Sequence, residues 1–216
     1  MIYGFIHVGV IGRYEKIFQN QILLIKSSGL YDKTNQIFVG VSGDKIEIEK
    51  DPKIKLLCHD TVLRNGENNT LINLYHFCQN VNESKIWYIH TKGASHPEKS
   101  ETFKSVESWR KYLEFFTIVQ HELCEKTLNS YDTCGPEWRT THFCGNFWWA
   151  NSSYIKRLQN ILTKEKPYPT RFLAEFDFIS KGNPNVKSLY NMGNIETVEN
   201  MYGKIWHPFY YRNKFI

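Results

Sequence analysis

Short apolar runs alternate along this chain with stretches whose apolar residues recur at three- and four-residue steps, and that alternation confines it to an α/β layer fold. Residues 2–8 form a continuous apolar run of strand type. After Gly9 and Gly12, the positions Tyr14, Ile17, Phe18, Ile22 and Ile25 mark one face of a helix. Residues 37–41, ended by Ser42-Gly43-Asp44, and residues 54–58 predict two further strands, so the chain opens in βαβ fashion. Thr70 is placed to cap a helix carrying Leu71, Leu74, Tyr75 and Cys78, and residues 85–89 return as a strand. Val106, Trp109, Leu113, Phe116 and Leu123 predict the longest helix, over residues 105–131, with Cys134-Gly135-Pro136 at its exit. Residues 142–149 read as a strand, and Tyr154, Ile155, Leu158, Ile161 and Leu162 as a helix. Thr170 is placed to cap a short helix ending at Lys181-Gly182. The expected architecture is a mostly parallel central sheet flanked by helices. With 216 residues and 41% hydrophobic content it is one domain, residues 1–216, in which residues 182–216 lack a clear period and read as loops or a flap.

Charge and cysteine usage narrow the partners. A net charge of +5 is spread along the chain and forms no Lys/Arg block of the kind that tracks nucleic acid. Phosphate-bearing small ligands suit that mild basicity better than a duplex does. Five scattered cysteines with no C-x-x-C read as reduced thiols. Neither a signal-peptide pattern nor an apolar run of about eighteen residues is present, so no membrane span is expected and the compartment reads as cytoplasmic.

In an open α/β sheet, ligands sit beyond the carboxyl ends of the strands, and the chemically active motifs fall there. His7-Val8-Gly9, Ser42-Gly43-Asp44, His90-Thr91-Lys92-Gly93 and Gly145-Asn146 each close a predicted strand. If strand geometry persists, His90 and Lys92 point the same way, and Gly93 lets backbone approach a ligand. Such a pair suits a pyrophosphate: lysine supplies a point charge, and imidazole a hydrogen bond or a second charge. The alternative is a solvated lysine beside a hydrogen-bonded histidine. Residues 142–151 crowd His142, Gly145, Asn146, Trp148 and Trp149 together, a mixture that can stack on and hydrogen-bond a sugar or, as a plain strand, fill a core.

Two carboxylates, Glu175 and Asp177, lie about 200° apart on a helix and cannot serve one point. Phe172, Leu173, Phe176 and Ile179 define the buried stripe. Glu175 borders it, where partial desolvation suits a general base or where it pairs with an arginine, while Asp177 reads as a surface or ion-pairing residue. Trp109 reads as packing and Arg110 as able to reach an anion. Glu67 either complements a helix N-terminus or meets a ligand.

Several of these pieces, in order, resemble small GT-A-type glycosyltransferases of bacterial polysaccharide loci and large DNA viruses. They are Glu67 with Thr70-Leu71, the run Trp87-Tyr88-Ile89-His90-Thr91-Lys92-Gly93-Ala94-Ser95, Trp109-Arg110, residues 142–150, and Arg171 with Ala174-Glu175. The resemblance implies a GT-A-like, Rossmann-like sheet and sugar transfer from a nucleotide-sugar donor, UDP-linked first of all, to a glycan or glycoconjugate acceptor. A viral member would work in the host cytoplasm. The resemblance covers most of residues 1–180; residues 182–216 match no piece of it and read as a flap or acceptor-side extension. It implies that His7, Val8 and Asp44 flank the nucleoside and that His90, Lys92 and Gly93 hold the diphosphate. Trp109, Arg110, His142, Gly145, Asn146, Trp148 and Trp149 would line the sugar and acceptor side, with Glu175 deprotonating the acceptor hydroxyl and inversion at the anomeric carbon. GT-A enzymes commonly hold Mn²⁺ or Mg²⁺ with Asp-x-Asp, whereas this chain has His-x-Lys at that spacing, which leaves a divalent metal an open question. A silent glycan-binding module is the competing expectation: it would keep the aromatic segment and need neither the His90/Lys92 pair nor Glu175 as a base. A hydrolase would need a metal cluster or nucleophile signature that the sequence lacks.

Overall fold

A computed structural model describes residues 1–158, 173–191 and 204–213. In chain order it contains β1 (Ile2–Gly9), α1 (Tyr14–Ser27), α2 (Leu30–Lys33), β2 (Gln36–Ser42), β3 (Ile54–Asp60), α3 (Asn68–Asn80) and β4 (Lys85–His90). There follow α4 (Phe103–Glu114), a π-turn (Phe115–Val119), α5 (His121–Thr127), β5 (Thr133–Gly135), β6 (Trp138–Arg139), β7 (His142–Phe143), β8 (Trp148–Asn151) and α6 (Ser152–Arg157). A second π-turn (Ala174–Phe178), β9 (Val186–Ser188) and α7 (Phe209–Arg212) complete the described residues.

Seven strands make one sheet in the order β3-β2-β1-β4-β8-β5-β9. β1, β2, β3 and β4 pair in parallel, β8 is antiparallel to both β4 and β5, and β5 pairs with β9 in parallel. The sheet is therefore mixed and mostly parallel, with helices on both faces. Strand alternation sorts the side chains into two cores. Ile2, Ile6 and Val8 of β1, Trp87 and Ile89 of β4, and Trp149 of β8 meet α1, α4 and α5 on one face. Phe5, Ile86, Tyr88, Trp148 and Ala150 meet α3, α6 and the second π-turn on the other.

Four sequence expectations change. Thr70 lies inside α3, not at its N-cap, which is Glu67. Gly40 explains why: a Cβ there would sit 2.0 Å from Thr70 Oγ1, so the glycine lets the helix bring Thr70 onto the sheet. The predicted 105–131 helix is interrupted by the π-turn at Phe115–Val119, and Cys134-Gly135 belongs to β5 rather than to a helix exit. Residues 142–149 are not one strand: β7 and β8 flank a turn in which Gly145 (φ 88°) and Asn146 (φ 53°) are left-handed. Finally, residues 174–178 wind as a π-turn, which shifts side-chain phase relative to an α-helix. Phe176, expected in the buried stripe, is 36% exposed, and Asp177, expected on the outer margin, is 2% exposed and pairs with Lys181 Nζ at 2.6 Å. The expected cap Thr170, together with Arg171, Phe172 and the helix positions Ile161 and Leu162, lies outside the described residues.

Candidate functional site at the carboxyl edge of the sheet

β1 sits between β2 and β4, so the chain winds outward through β2 and β3 and then returns to the other side of β1. The reversal makes a crevice beyond the carboxyl ends of β1 and β4. Because β8 runs antiparallel to β4, the Gly145-Asn146 turn that precedes it arrives at this same edge. Gly145-Asn146 thus opens a strand instead of closing one.

On the α3 face, His7 and His90 are register partners at the ends of β1 and β4. His7 Nδ1 lies 2.8 Å from Thr70 Oγ1, and its Nε2 lies 3.2 Å from Ser42 Oγ. Burial holds the His7 imidazole down at about 4, against an ordinary value of 6.5. His90 Nε2 donates to the Gly145 carbonyl at 3.0 Å. Burial, with the Lys92 ammonium adding to it, lowers His90 to about 3. The ring is therefore neutral, and its Nδ1 lone pair faces Glu67 Oε1 at 3.7 Å.

Glu67 gathers the other side. Its Oε2 accepts from Tyr88 Oη at 2.6 Å and from Asn146 Nδ2 at 2.7 Å, while Asn146 Oδ1 accepts from Trp148 Nε1 at 2.8 Å. Burial raises the Glu67 carboxyl above its usual range, and the nearby charge of Glu175 acts in the same direction. Gly145 N–H donates to Glu175 Oε1 at 2.7 Å. One residue, Gly145, is thus gripped at both ends, its carbonyl by His90 and its N–H by Glu175.

Lys92 approaches that turn from the other side. Its Nζ stands 3.9 Å from the centroid of Trp109, and a Cβ on Gly145 would come within 3.3 Å of Lys92 Cε. Lys92 does not continue the strand: its N–H donates to the His90 carbonyl at 2.7 Å in a tight turn, so strand alternation ends at His90. Gly93 follows at φ 82°, tight against Val106.

The remaining expected residues divide. Val8 and Trp149 are fully buried in one core and Trp148 in the other, with Trp148 stacked on Tyr88 at 5.1 Å. None of the three offers a surface to a ligand, which corrects the picture of open indole faces. Arg110 is 3% exposed and is engaged by Glu107 and by Glu114 at 3.8 Å, within a network joining α4 to α1. Asp44 is exposed on the loop after β2. His142 is 8% exposed, packs on Phe176 at 4.4 Å and has its imidazole pKa lowered by burial. Sequence reasoning missed Ser42 and Tyr88, and it assigned Thr70 to the wrong task. A polar residue inside an otherwise apolar strand or helix face was the available signal.

Among the described residues no three His, Cys, Asp or Glu side chains converge as ligands for a metal ion. The described residues therefore offer no donor set that fits a resident Mn²⁺ or Mg²⁺. Also among the described residues, no helix is long and apolar enough to cross a membrane.

Comparison with known proteins gives one positive finding. The family described as "Domain of unknown function (DUF8361)" matches residues 9–189, a span that contains the whole Glu67, His90, Gly145 and Glu175 arrangement. No curated protein and no solved structure matches the chain.

Proposed function

The chain belongs to the DUF8361 family, and we propose that it is a GT-A-type glycosyltransferase that uses a nucleotide-sugar donor and Glu175 as general base. One observation carries this reading: a part-exposed carboxylate and a part-exposed ammonium, Glu175 and Lys92, flank the same residue, Gly145, at the switch point of the sheet. Glu175 Oε1 is held by the Gly145 N–H, which orients the carboxylate and leaves its second oxygen for an acceptor hydroxyl. Lys92, released from the face of Trp109, supplies positive charge where a nucleoside diphosphate would depart. In the step itself, the acceptor oxygen bonds to the anomeric carbon as the bond from that carbon to the diphosphate breaks. The acceptor proton passes to Glu175, and the configuration inverts.

His90 in this scheme is a neutral positioning group that fixes the Gly145 carbonyl, not a second cation for the diphosphate. The burial of Trp148 and Trp149 argues against the competing glycan-binding module, which would use the aromatic segment of residues 142–151.

Calorimetric titration with UDP, GDP, CDP and dTDP, each in EDTA and in Mn²⁺, tests the reading. One nucleotide is expected to bind, with Lys92→Ala weakening it about tenfold, the scale of one charge-assisted contact. Glu175→Gln should keep that affinity while slowing sugar transfer by about 10²-fold or more. A protein that binds none of the four nucleotides in either condition is not a transferase of this kind.

A further inference from the structure

Residues 204–213 form an aromatic and basic ledge on the α4 side of the sheet. Two side chains seat it. Trp206 is fully buried, stacks on Trp109 at 6.4 Å and 18°, and packs on Tyr112 at 4.8 Å, while its backbone N–H donates to Ser108 Oγ at 2.9 Å. Tyr211 is fully buried against Tyr112 at 5.1 Å and Phe115 at 5.2 Å. With those anchors inside, the intervening side chains are held outward: Ile205 is 56% exposed, Phe209 65% and Tyr210 58%. Isolated exposed apolar residues are ordinary, but three large ones on one short anchored segment are not.

Charge decides what such a ledge fits. Lys204 and Arg212 are exposed at its two ends, and residues 204–213 contain no Asp or Glu. Apolar tips framed by cations match a bilayer of anionic phospholipid, in which Phe and Ile enter the acyl boundary, Tyr keeps its hydroxyl at the headgroups, and Lys and Arg meet phosphate. A sugar platform would present flat indole faces, yet here Trp206 is turned inward. We infer that the 204–212 ledge docks the protein on an anionic membrane surface, lying on the bilayer without crossing it. Trp206 stacks on the same Trp109 that carries Lys92, so docking brings the candidate site close to the lipid surface. The inference does not rest on the transferase reading.

The test is sedimentation of the full chain with phosphatidylcholine vesicles, with and without phosphatidylglycerol. The wild type should pellet with the anionic vesicles and be released by salt. Lys204→Ala and Arg212→Ala should each weaken partitioning about fivefold, and Phe209→Ser and Tyr210→Ser about tenfold each. All four side chains are exposed, so unchanged thermal unfolding of the variants certifies their fold. Failure of the wild type to pellet with anionic vesicles overturns the proposal. So does pelleting that none of the four substitutions alters, retention by soluble glycan in place of vesicles, or loss of a dimer in the ledge variants in place of lost vesicle binding.

Discussion

Acid should destabilise this protein through its two central histidines, and the amount follows from their burial. His7 is 4% exposed with both ring nitrogens engaged, and its imidazole is lowered to about 4. His90, lowered to about 3, is 17% exposed, with Nε2 on the Gly145 carbonyl and Nδ1 3.7 Å from Glu67. A histidine depressed in the folded state binds its proton first in the unfolded chain, so stability falls as pH drops through about 6.5 toward the folded value. Between about pH 7 and about pH 5 each ring contributes a loss of about 2 kcal/mol, about 4 kcal/mol together. Glu67 and Glu114 act oppositely, because burial raises their carboxyls and acidification relieves them. The His7 share is isolated by His7→Asn, an amide able to meet Thr70 or Ser42 without titrating. Urea unfolding followed by fluorescence of the six tryptophans should show wild-type stability falling about 2 kcal/mol more than the variant's over that interval. Whatever the variant costs at neutral pH cancels in this difference. Parallel pH dependence in the two proteins would refute the claim that His7 is buried neutral.

Two further substitutions probe the turn. Gly145→Ala places a side chain at φ 88° and 2.6 Å from Leu113 Cδ1, so it should cost about 2 kcal/mol or more in the same urea assay, whereas an unstrained turn would change by only a few tenths. Trp148→Phe keeps an aromatic ring on Tyr88 but removes the donor to Asn146 Oδ1. The expected loss is about 1–3 kcal/mol, and a neutral result would mean that this hydrogen bond does not hold Asn146.

The layer order was legible because it rests on hydrophobic period, which residues 2–8, 37–41 and 85–89 display plainly. What was not legible depends on contacts between distant segments. Nothing near Thr70 in sequence says that Gly40, thirty positions earlier, opens space for it on the sheet. The Phe-Trp-Trp run carries the same pattern whether its indoles face sugar or core; the partners that decide, Tyr88 for Trp148 and the Thr117 carbonyl for Trp149, come from other elements. Phe176 and Asp177 were misphased because periodicity assumed an α-helix where the backbone takes a π-turn. Lys92 was expected to follow strand alternation, but the chain turns sharply directly after His90.

The buried cluster itself argues that the site does more than hold the fold together. A buried imidazole with a second imidazole and a carboxylate largely withdrawn from water is costly to desolvate, and an apolar set of similar volume would stabilise the sheet at least as well. What the polar set adds is geometry. Tyr88 and Asn146 fix Glu67, Trp148 fixes Asn146, His90 fixes the Gly145 carbonyl, and the Gly145 N–H fixes Glu175. Each link hands orientation to the next, and the series ends at a part-exposed carboxylate with one oxygen still to spend. A carboxylate so oriented suits accepting a proton, which is the role proposed for Glu175.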